Sequence, residues 1–150
     1  MTGHLAPALT LADAEAMRIV RNACRQFMTN DTREISAEDQ RLWFAILDRS
    51  TMRPFVYRVD DQVIGYGLIK FVDNRWWISG GLLSGWRGYG HGKRLFSALA
   101  DLVRVDGKTC WLTVREDNFV ARRTYLSLGF EIIDAATDGI SATLTMRRQP

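Results

Sequence analysis

The chain has 150 residues, of which 47% are hydrophobic and 25% charged, with a net charge of +3 at neutral pH. These values describe one ordinary domain, residues 1–150, with apolar material for a single core. No run of about 18 apolar residues occurs, which excludes a transmembrane helix; the small positive charge suits an anionic small ligand and does not indicate nucleic acid.

The opening Met1-Thr2-Gly3-His4-Leu5 lacks the charged and apolar regions of a signal peptide. Thr10 followed by Asp13 is a capping signal. Leu11, Ala14, Met17, Val20, Ala23, Cys24 and Phe27 then recur at helical spacing and predict a helix over residues 11–27. Residues 28–35 are polar and read as a loop. Ser36 with Asp39 opens a second helix, to about residue 49, with Leu42, Trp43, Ile46 and Leu47 on its apolar side. Pro54 marks the change to strands. Residues 55–59, 63–72 and 76–83 form a three-strand meander, with turns at Asp60-Asp61 and Asp73-Asn74. Gly80-Gly81 inside the third strand indicates either a bulge or a close approach by another backbone or a ligand.

A glycine-rich turn leads into a helix over residues 90–105, with Leu95, Phe96, Leu99, Leu102 and Val103 as its buried stripe and Asp106-Gly107 ending it. Residues 110–114 read as a short, fully buried strand. Residues 118–127 form a helix closed by Gly129, and 130–135 and 142–147 are the last strands, joined through Asp138-Gly139. The chain is therefore α+β, with antiparallel strands and βα crossovers mixed in one sheet. The crossover into residues 110–114 makes that strand parallel to 76–83. Cys24 and Cys110, far apart and in apolar settings, read as two buried thiols of a cytoplasmic protein. With only His4 and His91 besides, no zinc set can be assembled, and no metal is expected.

Two segments carry chemistry. In Arg87-Gly88-Tyr89-Gly90-His91-Gly92-Lys93, glycines between a strand and a helix bring backbone N–H groups to a helix N-terminus, where the dipole favours an anion. Arg87, Lys93 and Arg94 add charge. The glycines fall as G-x-G-x-G, not in the dinucleotide fingerprint. The Walker pattern fails because Arg87 stands where it requires glycine. In the second segment, Asn118 and Tyr125 stand seven apart on one helix face. Asn118 either only caps the helix or also contacts a ligand. Tyr125 either packs or donates a proton.

Together these segments resemble the Gcn5-related N-acetyltransferase (GNAT) superfamily. Its cofactor loop R/Q-x-x-G-x-G/A is matched by Arg87, Gly90 and Gly92, and its motif N-x-x-A-x-x-x-Y-x-x-x-G-F by Asn118, Ala121, Tyr125, Gly129 and Phe130. The start at Pro7-Ala8, Thr10 and Asp13-Ala14-Glu15 also looks like the family's opening, so the resemblance covers nearly the whole chain. It implies a mixed, mostly antiparallel sheet of about six to seven strands with a splayed parallel pair, flanked by about four helices. It implies acetyl-CoA as cosubstrate, with no metal. Backbone at Leu82, Leu83 and Ser84 would pair with the pantetheine arm, and an N–H there would polarise the thioester carbonyl. Amides across Arg87, Gly88, Tyr89, Gly90, His91, Gly92 and Lys93 would hold the pyrophosphate. Asn118 would touch the cofactor, and Tyr125 would protonate the departing thiolate. The amine would attack directly, without an acyl-enzyme.

The family often carries a carboxylate base on the strand before the loop, and residues 76–83 contain none. Glu34, Asp73 and Glu116 are candidates by character alone, and Ser79 is a candidate to position a water. The side chain of His91 is expected to point outward as a non-catalytic contact. Arg33, Glu34, Trp43 and Trp76 are expected to shape the acceptor pocket. Most other aromatic residues read as packing. Arg122 and Arg123 either reach the cofactor's phosphates or coat an exposed helix. The expected function is transfer of acetyl from acetyl-CoA to a small-molecule amine. The alternatives are a macromolecular amine, on a protein or an aminoacyl-tRNA, and a non-catalytic acyl-CoA-binding module. Family members are often homodimers.

Overall fold

The computed structural model describes residues 2–29 and 31–150. Met1 and Asn30, which belong to the opening segment and the expected loop at 28–35, lie outside the described residues. The strands are β1 (Gly3–Pro7), β2 (Met52–Val59), β3 (Gln62–Val72), β4 (Arg75–Leu82), β5 (Cys110–Arg115), β6 (Glu131–Thr137) and β7 (Ala142–Arg148). The helices are α1 (Leu11–Ala23), α2 (Ala37–Ala45), α3 (His91–Val105) and α4 (Phe119–Ser127). The α+β class, the seven strands and the four helices among the described residues agree with the expected architecture.

The sheet order is β1-β2-β3-β4-β5-β7-β6, and β4 with β5 is its one parallel pair among the described residues. β2, β3 and β5 bury side chains at consecutive positions, and because successive side chains alternate in direction both faces of the sheet are covered there. Ile78 and Leu82 of β4 pack with Leu95 and Leu99 of α3 and Tyr125 of α4 on one face. Val56 and Tyr66 pack with Met17 and Val20 of α1 and with its C-cap Cys24 on the other.

Several boundaries differ from those expected, each for a local reason. α1 stops at Ala23, because Cys24 N–H bonds Arg21 O at 3.0 Å and the chain tightens into a 3-10 turn at Arg25–Phe27. α2 stops at Ala45 rather than near residue 49. The Asp48 carboxylate captures the Ser50 amide and hydroxyl at 3.0 and 2.7 Å, a side-chain turn that competes with helix. Of its expected apolar side, Leu42 and Ile46 are exposed whereas Trp43 and Leu47 are half-buried, and Gln40 is the fully buried residue of α2. No bulge occurs at Gly80-Gly81, where the β3–β4 register is regular; register shifts lie at Tyr57/Arg58 in β2 and at Ile132/Asp134 in β6. The close approach does hold, because a Cβ on Gly80 would stand 2.6 Å from Tyr66 O and one on Gly81 2.8 Å from Cys24 Sγ. β1 was not anticipated. It is an edge strand paired antiparallel to β2 from Gly3↔Val59 to Pro7↔Phe55.

What matters for a site is the middle of the sheet. β4 and β5 share two rungs, Trp76↔Cys110 and Trp77↔Trp111, and then part. Both strands continue beyond the split, β4 to Leu82 and β5 to Arg115.

Candidate active site

The split leaves backbone groups of β4 without a strand partner, and the direction of those groups follows from the last peptide. Leu83 N–H donates to Ile64 O of β3 at 2.9 Å. In a trans peptide the carbonyl of Leu82 points the opposite way, into the gap. By the alternation of an antiparallel ladder the Leu82 N–H points there too, as do the backbone groups of Gly80. Of the three residues expected to face a pantetheine arm, Leu82 is the one whose backbone faces the gap. The Leu83 amide is engaged with β3, and Ser84 has entered a 3-10 turn, Ser84–Trp86, that accepts Arg87 N–H.

The loop beyond that turn delivers the chain to the N-terminus of α3. Gly88 and Gly90 adopt φ of 87° and 83°, a left-handed conformation that other residues take only with strain. Gly90 is the N-cap and supplies no side-chain hydrogen bond, so the first-turn amides of α3 have no capping oxygen. An anion is the natural complement of such a terminus.

A cavity of about 1100 Å3 runs through the gap. Met17, Arg21 and Trp43 bound it on the α1–α2 side, and Gly88, Gly92, Asn118 and Tyr125 on the α3–α4 side. The structure brings Leu82, Arg87, Gly88, Gly92, Asn118, Tyr125, Arg33, Glu34 and Trp43 to this one cavity. Leu83, Ser84, Tyr89, Gly90, His91, Lys93 and Trp76 are not among its lining residues.

Two expectations are corrected by side-chain direction. Trp76 lies against the α3-side core and packs on Phe71 with ring centroids 4.9 Å apart. Its neighbour Trp77, of opposite strand parity, lines the cavity, and its indole N–H is fixed on Val72 O at 3.2 Å. His91 does not point outward. It is 3% exposed, its Nδ1 lies 2.9 Å from Tyr57 Oη, and Tyr57 and Trp86 meet its ring edge-on. Burial, aided by the nearby Arg94 charge, lowers its pKa below the usual 6.5. The unfolded chain therefore binds a proton more readily than the folded one. Stability from this group is present above about pH 6.5 and declines as the pH falls through the unfolded value towards the folded one. A His91→Gln variant is expected to lose less melting temperature than the wild type between about pH 7.5 and 5.5. Parallel acid limbs in scanning calorimetry would refute this.

Tyr125 is 7% exposed and packs edge-on against Phe96 at 4.8 Å and Phe130 at 6.2 Å. Burial raises its hydroxyl pKa well above the ordinary value, so the group keeps its proton. Asn118 caps α4 by accepting Ala121 N–H at 3.3 Å, and its amide also lines the cavity. Arg122 donates to Glu116 O at 2.9 Å and lies over Phe119, which favours the helix-coating alternative for that residue.

Among the candidate bases, Glu34 and Asp73 line the cavity, whereas Glu116 is exposed and is not among the lining residues. Glu34 stands 3.8 Å from Arg25. Ser79 lines the cavity on the α1 face, as does Asp31, which sequence reasoning did not single out. The Arg33 guanidinium beside Asp31 holds its carboxyl well below the usual carboxylate range, so Asp31 is a poor proton acceptor. A Thr29–Thr113 hydroxyl pair at 2.7 Å and Arg115 on Gln26 O tie the α1–α2 connection to β5. Among the described residues no three metal-ligating side chains converge, and no helix is long and apolar enough to cross a membrane.

Comparison with solved structures shows the same fold. A phosphinothricin acetyltransferase from Sinorhizobium meliloti, in complex with AcCoA, is 21% identical with a TM-score of 0.84, covering 99% of this chain and 89% of its own. A ribosomal-protein-alanine N-acetyltransferase from Brucella melitensis is 18% identical with a TM-score of 0.83, covering 98% and 99%. AAC(6')-Ib in complex with ribostamycin and coenzyme A is 18% identical with a TM-score of 0.80, covering 99% and 94%. No curated protein matches the sequence. The model of one family, described as "Acetyltransferase (GNAT) family", matches residues 17–130, which span both the parted strands and the capped helix of Tyr125. A match over that much of the sequence, on a sheet that opens at the same pair of strands as the glycine loop serves, makes the chain a member of the acetyltransferase (GNAT) family.

Proposed function

We propose that the chain is a cytoplasmic, acetyl-CoA-dependent N-acetyltransferase whose acceptor is a small-molecule amine. The observation that carries this is the meeting, in one cavity, of a strand with unpaired backbone and a helix N-terminus without a capping oxygen. These features fit acetyl-CoA. Amides from Gly88 to Lys93 would hold its pyrophosphate, and the Gly80 backbone and the Leu82 N–H would receive its extended arm as an added strand. When bound, acetyl-CoA supplies an activated acetyl group and a thiol leaving group. The chain contributes a main-chain N–H at Leu82 that can polarise a carbonyl, and a proton held on Tyr125 Oη. Asn118 keeps its side-chain N–H2 free to donate beside its capping bond. Similar proteins solved with AcCoA or coenzyme A support this donor. Two free, buried cysteines suit a reducing compartment.

The acceptor side is walled by Trp43 and Trp77 with Met17 and Leu68, which suits an amine on a compact apolar body. Thiol release from acetyl-CoA across a panel of small amines, peptides and aminoacyl-tRNA tests the reading. Release with a small amine is expected. Trp77→Ala then raises the acceptor KM about tenfold with the acetyl-CoA KM unchanged, whereas Trp76→Ala leaves the acceptor KM unaltered. A folded protein that neither binds acetyl-CoA nor releases thiol with any amine would sink it.

A further inference from the structure

The Arg87 side chain does not reach out from the glycine loop it opens. Its guanidinium turns back, with Nη2 3.1 Å from Leu82 O and 3.7 Å from Cys24 Sγ. Its Cζ stands 4.7 Å from the centre of the Phe27 ring. The Leu82 carbonyl also accepts from Cys24 Sγ at 3.3 Å. The peptide joining Leu82 to Leu83 is therefore held at both ends, by Ile64 O on one side and by Arg87 and Cys24 on the other.

We infer that Arg87 is a positioning residue that couples the donor and acceptor halves of the cavity, acting through Leu82 and Phe27 rather than as a phosphate ligand. The inference rests on the N-acetyltransferase reading above. Three parts of the site converge on this one side chain. Its own backbone begins the anion-binding loop. Leu82 is the last β4 residue whose backbone faces the gap. Phe27 roots the α1–α2 connection, which contributes Met28, Arg33 and Glu34 to the acceptor side. The planar fork can donate to a carbonyl while lying flat over a ring, which a lysine ammonium on its flexible stem does not reproduce. Cys24 completes the contact from α1, pressed so close to β4 that only glycine fits at position 81. Filling the donor site settles the loop and, through Arg87, the wall against which the acceptor lies.

The test separates coupling from charge. Coenzyme A titration and steady-state kinetics are run on Arg87→Lys, Arg87→Gln and Phe27→Leu, with melting curves for each. Under coupling, Arg87→Lys lowers kcat about tenfold and raises the acceptor KM about fivefold, while the coenzyme A Kd moves less than about threefold. Phe27→Leu, at a half-exposed position, repeats the rise in acceptor KM with coenzyme A affinity unchanged. A phosphate ligand gives the opposite pattern: Arg87→Lys behaves as wild type and Arg87→Gln weakens coenzyme A alone. That pattern would overturn the inference and leave the enzyme reading intact. A wild-type chain that binds no coenzyme A would overturn both.

Discussion

Replacing Tyr125 by Phe is expected to lower kcat at least about a hundredfold and to leave coenzyme A affinity and melting temperature near wild type. The ring keeps its contacts with Phe96 and Phe130, so packing is retained and only the hydroxyl is lost. Burial raises the hydroxyl pKa, and a group that stays protonated can serve as an acid but not as a base. The wild-type pH–rate profile should accordingly show no loss from this residue below about pH 10. A Tyr125→Phe enzyme with kcat within about twofold of wild type would remove the hydroxyl from the reaction.

The second large effect is expected at Gly92, and it separates binding from stability. A Cβ there would meet only Leu82 Cδ1, at the ordinary distance of 3.7 Å, so an aspartate fits. A carboxylate in the first turn of α3 favours the helix by about 0.3–1 kcal/mol, and replacing a helical glycine adds to that. The same charge occupies the place proposed for the pyrophosphate. Gly92→Asp is expected to melt at or above the wild-type temperature and to bind coenzyme A about a hundredfold more weakly. Undiminished binding by the stable variant would move the anion away from this helix end.

The features legible in the sequence are those that local chemistry dictates. Alternating glycines before an amphipathic run place the turn into α3, and Asn118 at the head of an apolar periodicity places α4. The core stripe of α3 follows from its 3.6-residue period. What was not legible depends on partners distant in sequence. β1 contains Gly3 and Pro7 and has no strong alternation; pairing with β2 makes it a strand. The exchange of Trp76 for Trp77 is a matter of parity. Two adjacent tryptophans carry no internal sign of which face is which, although Ile78 and Leu82 share the parity of Trp76 and mark the α3 side. His91 opens α3 directly after a run of exposed residues, and nothing local says that Tyr57 waits beneath it. The missing strand carboxylate stays missing in three dimensions, and the wall proposed for the acceptor is gathered from α1, α2, β3 and β4 by packing alone.

The two-rung contact between β4 and β5 has a wider consequence. It makes the seven-stranded sheet a pair of half-sheets, β1-β2-β3-β4 and β5-β7-β6, joined at one end as if by a clasp. Along the open stretch, the amides of Gly80 and Leu82 are sheltered by neither half. In the free protein they should exchange hydrogen with solvent faster than the β3-facing amides of Gly81 and Leu83 beside them. A molecule lying in the slot would slow them and fasten the halves together. In the proposed binding mode the ligand would be an eighth strand, and the sheet would be continuous only while the molecule to be consumed is in place.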